Sequence, residues 1–128
     1  RTTCMAIHNQ LGKTGEQLAS EYLVTQGYII RDVNWKSGRY ELDIVAYSGK
    51  TLVIVEVKTR RNEDFAYPEE AVDERKINNI VKAAEAYIHM HDIPFETRFD
   101  IITLVGTGDN FNLEHIIDAF YPPLTRYH

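Results

Sequence analysis

Residues 40–58 read YELDIVAYSGKTLVIVEVK, two apolar runs joined by a short polar break at Ser48-Gly49-Lys50. Glycine at the first central position of a two-residue loop suits a type II′ turn, so Gly49-Lys50 predicts a tight β-hairpin. Counting outward sets Ser48 against Thr51, Tyr47 against Leu52, Val45 against Ile54, Asp43 against Glu56 and Glu41 against Lys58. The last four of these pairs share one face of the sheet. A register slip by a single position would send Asp43 and Glu56 to opposite faces, so any site built on them depends on the parity of this turn.

Two carboxylates opposed across neighbouring strands have Cβ atoms roughly 5 Å apart and repel unless a cation lies between them. Hard Mg²⁺ or Mn²⁺ resolves the conflict. Such ions take oxygen ligands, retain waters, and suit one or two carboxylates together with a backbone carbonyl and a substrate phosphate. Lys58 projects from the same face just beyond Glu56. There its charge could orient or deprotonate an attacking water, or offset negative charge in a phosphorane-like transition state. The plain alternative is a solvated strand end where Lys58 pairs with Glu41, worth well under about 1 kcal/mol. Against it stands Leu52-Val53-Ile54-Val55, a run that reads as a central strand buried on both faces, where charges are uncommon unless paired or liganded.

Outward from the hairpin, the chain alternates helical and strand patterns. Asn9 is a candidate N-cap, and Leu11, Leu18, Ala19, Tyr22 and Leu23 recur at helical spacing before Gly27, which predicts a first helix from Gln10 to Gln26. Tyr28 to Asn34, Tyr40 to Tyr47 and Thr51 to Lys58 are successive strands. A basic loop from Thr59 to Tyr67 follows. Pro68 and Asp73 then introduce a second helix, ending near His91, whose Ile77, Ile80, Val81, Ala84, Tyr87 and Ile88 form one apolar stripe. Arg98 to Val105 is a further strand, and Asn112 to Phe120 a candidate last one. The order αβββαβ(β) predicts an α/β (α+β) fold, a mixed sheet flanked by helices.

A chain of 128 residues with 44% apolar content supports one core, placed here at residues 9–120. Residues 1–8 are set aside as a leader outside the fold, disordered or foreign to the chain that Met5 would open, and residues 121–128 as a tail. The net charge of −5 offers no global attraction to nucleic acid, so any such surface must be a local patch. Cys4 alone can form neither an internal disulfide nor a thiolate zinc site, which fits a reducing compartment, with the cytoplasm as the expected location. No apolar stretch reaches the roughly 20 residues a membrane helix needs.

Glu16 borders the apolar face of the first helix and could reach the acid pair; a glutamate on a polar margin fits the pattern equally well. Gly12 and Gly15 beside it suggest close approach of sheet or substrate. Lys58, Arg60, Arg61, Arg75, Lys76 and Lys82, with Arg39 and Lys36 near the second strand, form a candidate patch for phosphate; a solvated basic loop is the competing account. Gly12-Lys13-Thr14 lacks the earlier glycine and preceding strand of a P-loop. His89 and His91 cannot share a helical face as metal ligands, and no histidine is spaced for a catalytic triad. Trp35 reads as a core or interface anchor ahead of a base-stacking platform.

Taken together, Asn9, Gly12, Gly15-Glu16, Ala19, Tyr22-Leu23, Gly27-Tyr28, Asn34, Glu41-Leu42-Asp43, Val55-Glu56-Val57-Lys58, Arg60, Pro68, Lys76 and Arg98-Phe99-Asp100 resemble the YraN-like family of small bacterial proteins. That family lies within the PD-(D/E)xK nuclease superfamily and is similar to archaeal Holliday-junction resolvases. The resemblance implies a restriction-endonuclease-like core in which Asp43, Glu56 and the Val57 carbonyl bind Mg²⁺. It further implies Lys58 as the catalytic lysine, Glu16 as an auxiliary acid and Glu41 as an additional candidate ligand. Tyr40 stands where the family usually has glycine. The expected function is hydrolysis of nucleic-acid phosphodiesters, DNA foremost, with Arg39, Arg60, Arg61, Arg75 and Lys76 on the backbone. The alternatives are a non-catalytic nucleic-acid-binding module with the same fold, or a plain interaction domain whose acids form ion pairs. Resolvase action would also need a two-fold homodimer, for which the sequence shows no face.

Overall fold

The computed structural model describes residues 1–61 and 73–122. The hairpin that organises it forms between β3 (Tyr40–Ser48) and β4 (Thr51–Arg61), with Ser48 opposite Thr51, Tyr47 opposite Leu52 and Val45 opposite Ile54. Gly49 has φ 58 and Lys50 is not among the positive-φ residues, the sign pattern of the expected type II′ turn. The ladder stops at Ile44–Val55. The expected pairings of Asp43 with Glu56 and Glu41 with Lys58 therefore lie beyond its end.

Around this hairpin the chain adds β2 (Ile29–Ser37), antiparallel to β3, and β5 (Glu96–Thr107), parallel to β4 along its whole length. A parallel neighbour requires a crossover, supplied by helix α2 (Glu74–His91). Strand β6 (Asn110–Phe120) returns antiparallel to β5, and β1 (Thr2–His8) pairs with β6 at the sheet edge. The six-stranded order is β1-β6-β5-β4-β3-β2. Residues 2–8, set aside above, are thus an edge strand. Their alternation carries little apolar signal because nearly every side chain in β1 is exposed.

Helix α1 (Gly15–Thr25) covers one face of the sheet through Leu18, Ala19, Tyr22 and Leu23, packed on Ile44, Ala46, Val53, Val55, Val57 and Leu104. Helix α2 covers the other through Ile80, Ala83, Ala84 and Tyr87, packed on Val45, Leu52, Ile54, Phe99 and Ile101. The result is an α+β fold, a mixed sheet between two helices, consistent with a restriction-endonuclease-like core.

Helix α1 starts later than its periodicity suggested. Thr14 is the N-cap: its hydroxyl accepts from the Gln17 amide, and the Gln17 side chain accepts from the Thr14 amide. This reciprocal capping box outcompetes Asn9, whose side chain instead holds a loop by accepting from the Lys13 amide and donating to the Lys13 carbonyl. Helix α2 is capped by Asp73, whose carboxylate accepts from the Lys76 amide at 2.9 Å. Part of the expected basic loop, Thr59 to Arg61, is strand. The rest of that loop, Pro68 and residues 123–128 of the tail lie outside the described residues.

Candidate active site

Strand β4 keeps its β5 partner as far as Arg61 but loses β3 after Val55, so among the described residues its C-terminal half has no strand partner on that side. The sheet forks there. In a continued ladder the Val57 amide would need a carbonyl from β3; here Asp43 Oδ2 accepts its hydrogen bond at 2.9 Å.

A backbone irregularity in β2 lies level with the fork. Val33 lies opposite Ile44 and Trp35 opposite Leu42, while Asn34 between them adopts a left-handed conformation with φ 54. Asparagine tolerates that region better than most residues. The face of the strand changes across it. Trp35 and Leu42 both join the α2-side core, whereas strict alternation from Ile44 would put Leu42 on the α1 side. Asp43 sits at this change of parity, and its carboxylate turns toward β4.

Glu56 follows Leu52 and Ile54 on the α2 face and is 5% exposed. Its Oε2 lies 3.4 Å from Lys58 Nζ and 3.4 Å from Lys76 Nζ, the latter brought in by the first turn of α2. Burial, then the charge of Glu56, push the Asp43 carboxyl up from 3.8 to about 6; the Val57 amide pulls the other way, and a hydrogen bond with Glu56 favours the protonated form. Asp43 thus keeps its proton into mildly acidic conditions, and above them the ammonium groups of Lys58 and Lys76 supply the compensating charge beside Glu56. This donor set fits a hard divalent cation: two carboxylates held together against repulsion, with proton and lysines where a cation would serve. Among the described residues no cluster of three or more His, Cys, Asp or Glu side chains could hold a metal, so further ligands would be backbone, water or substrate oxygens.

The other candidates divide. Glu16 is half-buried in the first turn of α1, and among the described residues no hydrogen bond or ion pair joins it to Asp43 or Glu56. Its neighbour Gly15 packs so tightly that a Cβ there would collide with Thr59 Oγ1 and touch Val57, which accounts for that glycine; Gly12 lies in the preceding loop. Glu41 is exposed and stands opposite Lys36, while Lys58 turns to Glu56. Being strand residues, Arg60 and Arg61 point to opposite faces. Arg60 follows Lys58, whereas Arg61 lies over the Phe111 ring and donates to the Gly108 carbonyl on the α1 side. Arg39 and Arg75 meet at a separate cavity with Tyr40 and Asn79.

Sequence reasoning put Lys76 with phosphate and missed its ion pair with Glu56; its place three residues after the N-cap Asp73 was the available signal. It also missed a buried polar cluster on the α1 side. Asp100 accepts from Arg98 through both carboxylate oxygens, from the Asp118 amide and at 2.7 Å from His115 Nε2, while the Tyr22 hydroxyl meets His115 Nδ1. Burial alone would favour protonated Asp100, but the bonds from His115, Arg98 and the Asp118 amide outweigh it and hold the carboxyl below its ordinary value. With none of its buried side-chain polar atoms left without a partner, this cluster ties β5, β6 and α1 together.

Residues 15–104 match the family model described as "Uncharacterised protein family UPF0102". A UPF0102 protein of Bacteroides thetaiotaomicron is 57% identical over 120 residues, 94% of this chain and 99% of the relative. One from Bacteroides fragilis is 53% identical with the same coverage, and one from Christiangramia forsetii is 42% identical over 117 residues, 91% of this chain and 98% of the relative. With the family model spanning Gly15 to Leu104 and the relatives aligned over nearly their full lengths, this chain belongs to the UPF0102 family, the YraN family that its motifs resemble.

Proposed function

We infer that this protein is a metal-dependent nuclease that hydrolyses nucleic-acid phosphodiester bonds. The observation that carries the reading is the Asp43–Glu56 pair, held in the fork between β3 and β4 with Lys58 beside it. Plain surface ion pairing does not account for a carboxyl pushed up to about 6 by burial and then by the charge of Glu56.

Asp43 and Glu56 would hold Mg²⁺ or Mn²⁺, with the Val57 carbonyl as a backbone ligand. The ion, when bound, supplies Lewis-acid charge at the phosphate and lowers the proton affinity of water. Lys58 stands next to Glu56 and carries the charge needed to orient the attacking water and offset the developing negative charge. Lys76 balances Glu56 until a cation takes that role. Glu16 is assigned the auxiliary acid position at the α1 side of the fork. Arg39, Arg60, Arg61 and Arg75 would engage backbone phosphates, which gives affinity without reading sequence.

The test is cleavage of a substrate panel, comprising single-stranded, duplex, flap and four-way-junction DNA and RNA, with Mg²⁺ or Mn²⁺. Activity should vanish for Asp43→Ala, Glu56→Ala and Lys58→Ala. Cleavage that survives all three substitutions sinks the mechanism. Salt-dependent binding without cleavage, and without Mn²⁺ uptake by calorimetry, assigns the chain to non-catalytic binding instead.

A further inference from the structure

We propose that the cavity lined by Arg39, Tyr40, Arg75 and Asn79 binds a phosphate group of the nucleic-acid strand, separate from the phosphodiester presented to Asp43 and Glu56. The proposal rests on the nucleic-acid reading for its ligand and deepens it by fixing where the strand runs.

Two guanidinium groups from different elements converge on this cavity. Arg39 comes from the turn before β3 and Arg75 from the first turn of α2. Among the described residues no carboxylate lines it. Among the described residues neither arginine forms an ion pair, in contrast to Arg98, which is bound to Asp100. Lys82 adds its field at the Tyr40 hydroxyl. Converging cations without an acid repel each other, and an anion between them removes that cost. Guanidinium groups match phosphate oxygens bidentately, and the Asn79 amide and Tyr40 hydroxyl add neutral donors.

Size and placement narrow the ligand. The cavity volume is about 210 Å³, below the range of sites that enclose a whole small molecule, and suited to one phosphate with its water. Tyr40 readies Arg39: its hydroxyl accepts from the guanidinium at 3.5 Å and its ring lies 5.4 Å beneath. Arg75 and Asn79 are one helical turn apart on one face of α2, and Lys76, the residue after Arg75, reaches Glu56. The cavity and the carboxylate pair thus share the first turn of α2, so one strand can engage both. The phosphate could be internal to the strand or terminal; the chemistry is the same.

The experiment is equilibrium binding of short single-stranded DNA labelled at its 3′ end, with either a 5′-hydroxyl or a 5′-phosphate, in metal-free buffer across a salt series. Arg39→Gln and Arg75→Gln should each weaken binding about tenfold at low salt and flatten the salt dependence by roughly 0.7, the share of one phosphate on a single strand. Lys50→Gln, the same charge loss at the hairpin tip, should change neither. Because both arginines hold one phosphate, the double variant should lose less than the product of the single losses. Losses in both oligonucleotides indicate an internal phosphate, and losses only with the 5′-phosphate a terminal one; either supports the cavity. Arginine variants that bind like Lys50→Gln, losses that multiply as independent charges, or no binding by the wild type overturn it. The two readings fail separately: normal binding by the arginine variants alongside metal-dependent cleavage removes the cavity alone, and arginine-dependent binding without cleavage removes the nuclease alone.

Discussion

Replacing Asp43 by asparagine should make the metal-free protein more stable at neutral pH while abolishing its response to metal. Asp43 has its carboxyl raised from 3.8 to about 6, first by burial and then by Glu56. A group whose folded-state value is raised binds its proton more tightly when folded. The stability this confers is complete below pH 3.8 and is lost as pH climbs through about 6. The rise from 3.8 to about 6 corresponds to about 3 kcal/mol, which partial solvent access reduces to about 2 kcal/mol. Asparagine keeps an oxygen for the Val57 amide and carries no charge, so at pH 7 the variant escapes this penalty. For a domain of this length, about 2 kcal/mol means a melting temperature higher by roughly 6–10 °C. Thermal unfolding in chelator, followed by circular dichroism from pH 3.5 to 7.5, measures it. The variant's advantage should be near zero at the acid end and grow through pH 4–6. Millimolar Mn²⁺ should then raise the wild-type melting temperature and leave the variant unmoved. A variant no more stable than wild type at pH 7, or an advantage independent of pH, refutes the account in which burial and the Glu56 charge raise the Asp43 carboxyl.

Lys76→Met removes one of the two ammonium groups that compete with a cation for Glu56, so Mn²⁺ should bind several-fold tighter by calorimetry at pH 7.5; weaker binding would make Lys76 a helper of the metal site. Asp100→Ala leaves buried His115 and Arg98 without their acid and should cost about 3–5 kcal/mol in urea unfolding. Because its carboxyl is held below the ordinary value, the Asp100 contribution is present above pH 3.8 and lost as pH falls further, opposite in sign to Asp43. In Gly106→Ala the new methyl would collide with the Asn110 carbonyl and with Phe111, backbone included, so a loss of about 3 kcal/mol in the same assay is expected.

Much of the fold was legible because its strongest signals are local. The hairpin register followed from Gly49-Lys50, and the helical face of α2 followed from apolar residues at three- and four-residue spacing. Strand β1 was not legible: an edge strand with almost no buried side chain has no alternation to read. The start of α1 was misplaced because apolar spacing extends past a helix end, whereas the end itself is set by Thr14 and Gln17. At the site, parity brought Asp43 to the level of Glu56, but the count assumed an unbroken ladder. The parity change and the early end of β3–β4 pairing coincide with a positive φ at Asn34 on the neighbouring strand, which composition does not announce. The Lys76 contact depends on how α2 docks, a tertiary fact beyond any local pattern.

The break in the ladder also explains how the site can exist on a central strand. Glu56 is buried on the α2 face of this strand, where an unneutralised carboxylate is costly. Ending the β3 pairing at Val55 frees the Val57 amide, and Asp43 takes it, so the second carboxylate is anchored by a bond the fork itself created. Parallel β5 continues beside β4 to Arg61 and keeps Glu56, Lys58 and Arg60 on one rigid rail. Helix α2 then delivers Lys76 to Glu56 and Arg75 to the cavity from a single turn. The irregularity at Asn34 stands opposite Asp43, which ties the two: restoring regular alternation there, as Asn34→Val would favour, should move Asp43 away from the β4 amide. Its carboxyl should then titrate near the ordinary value by NMR, and a titration still near pH 6 would break the link between that residue and the pair.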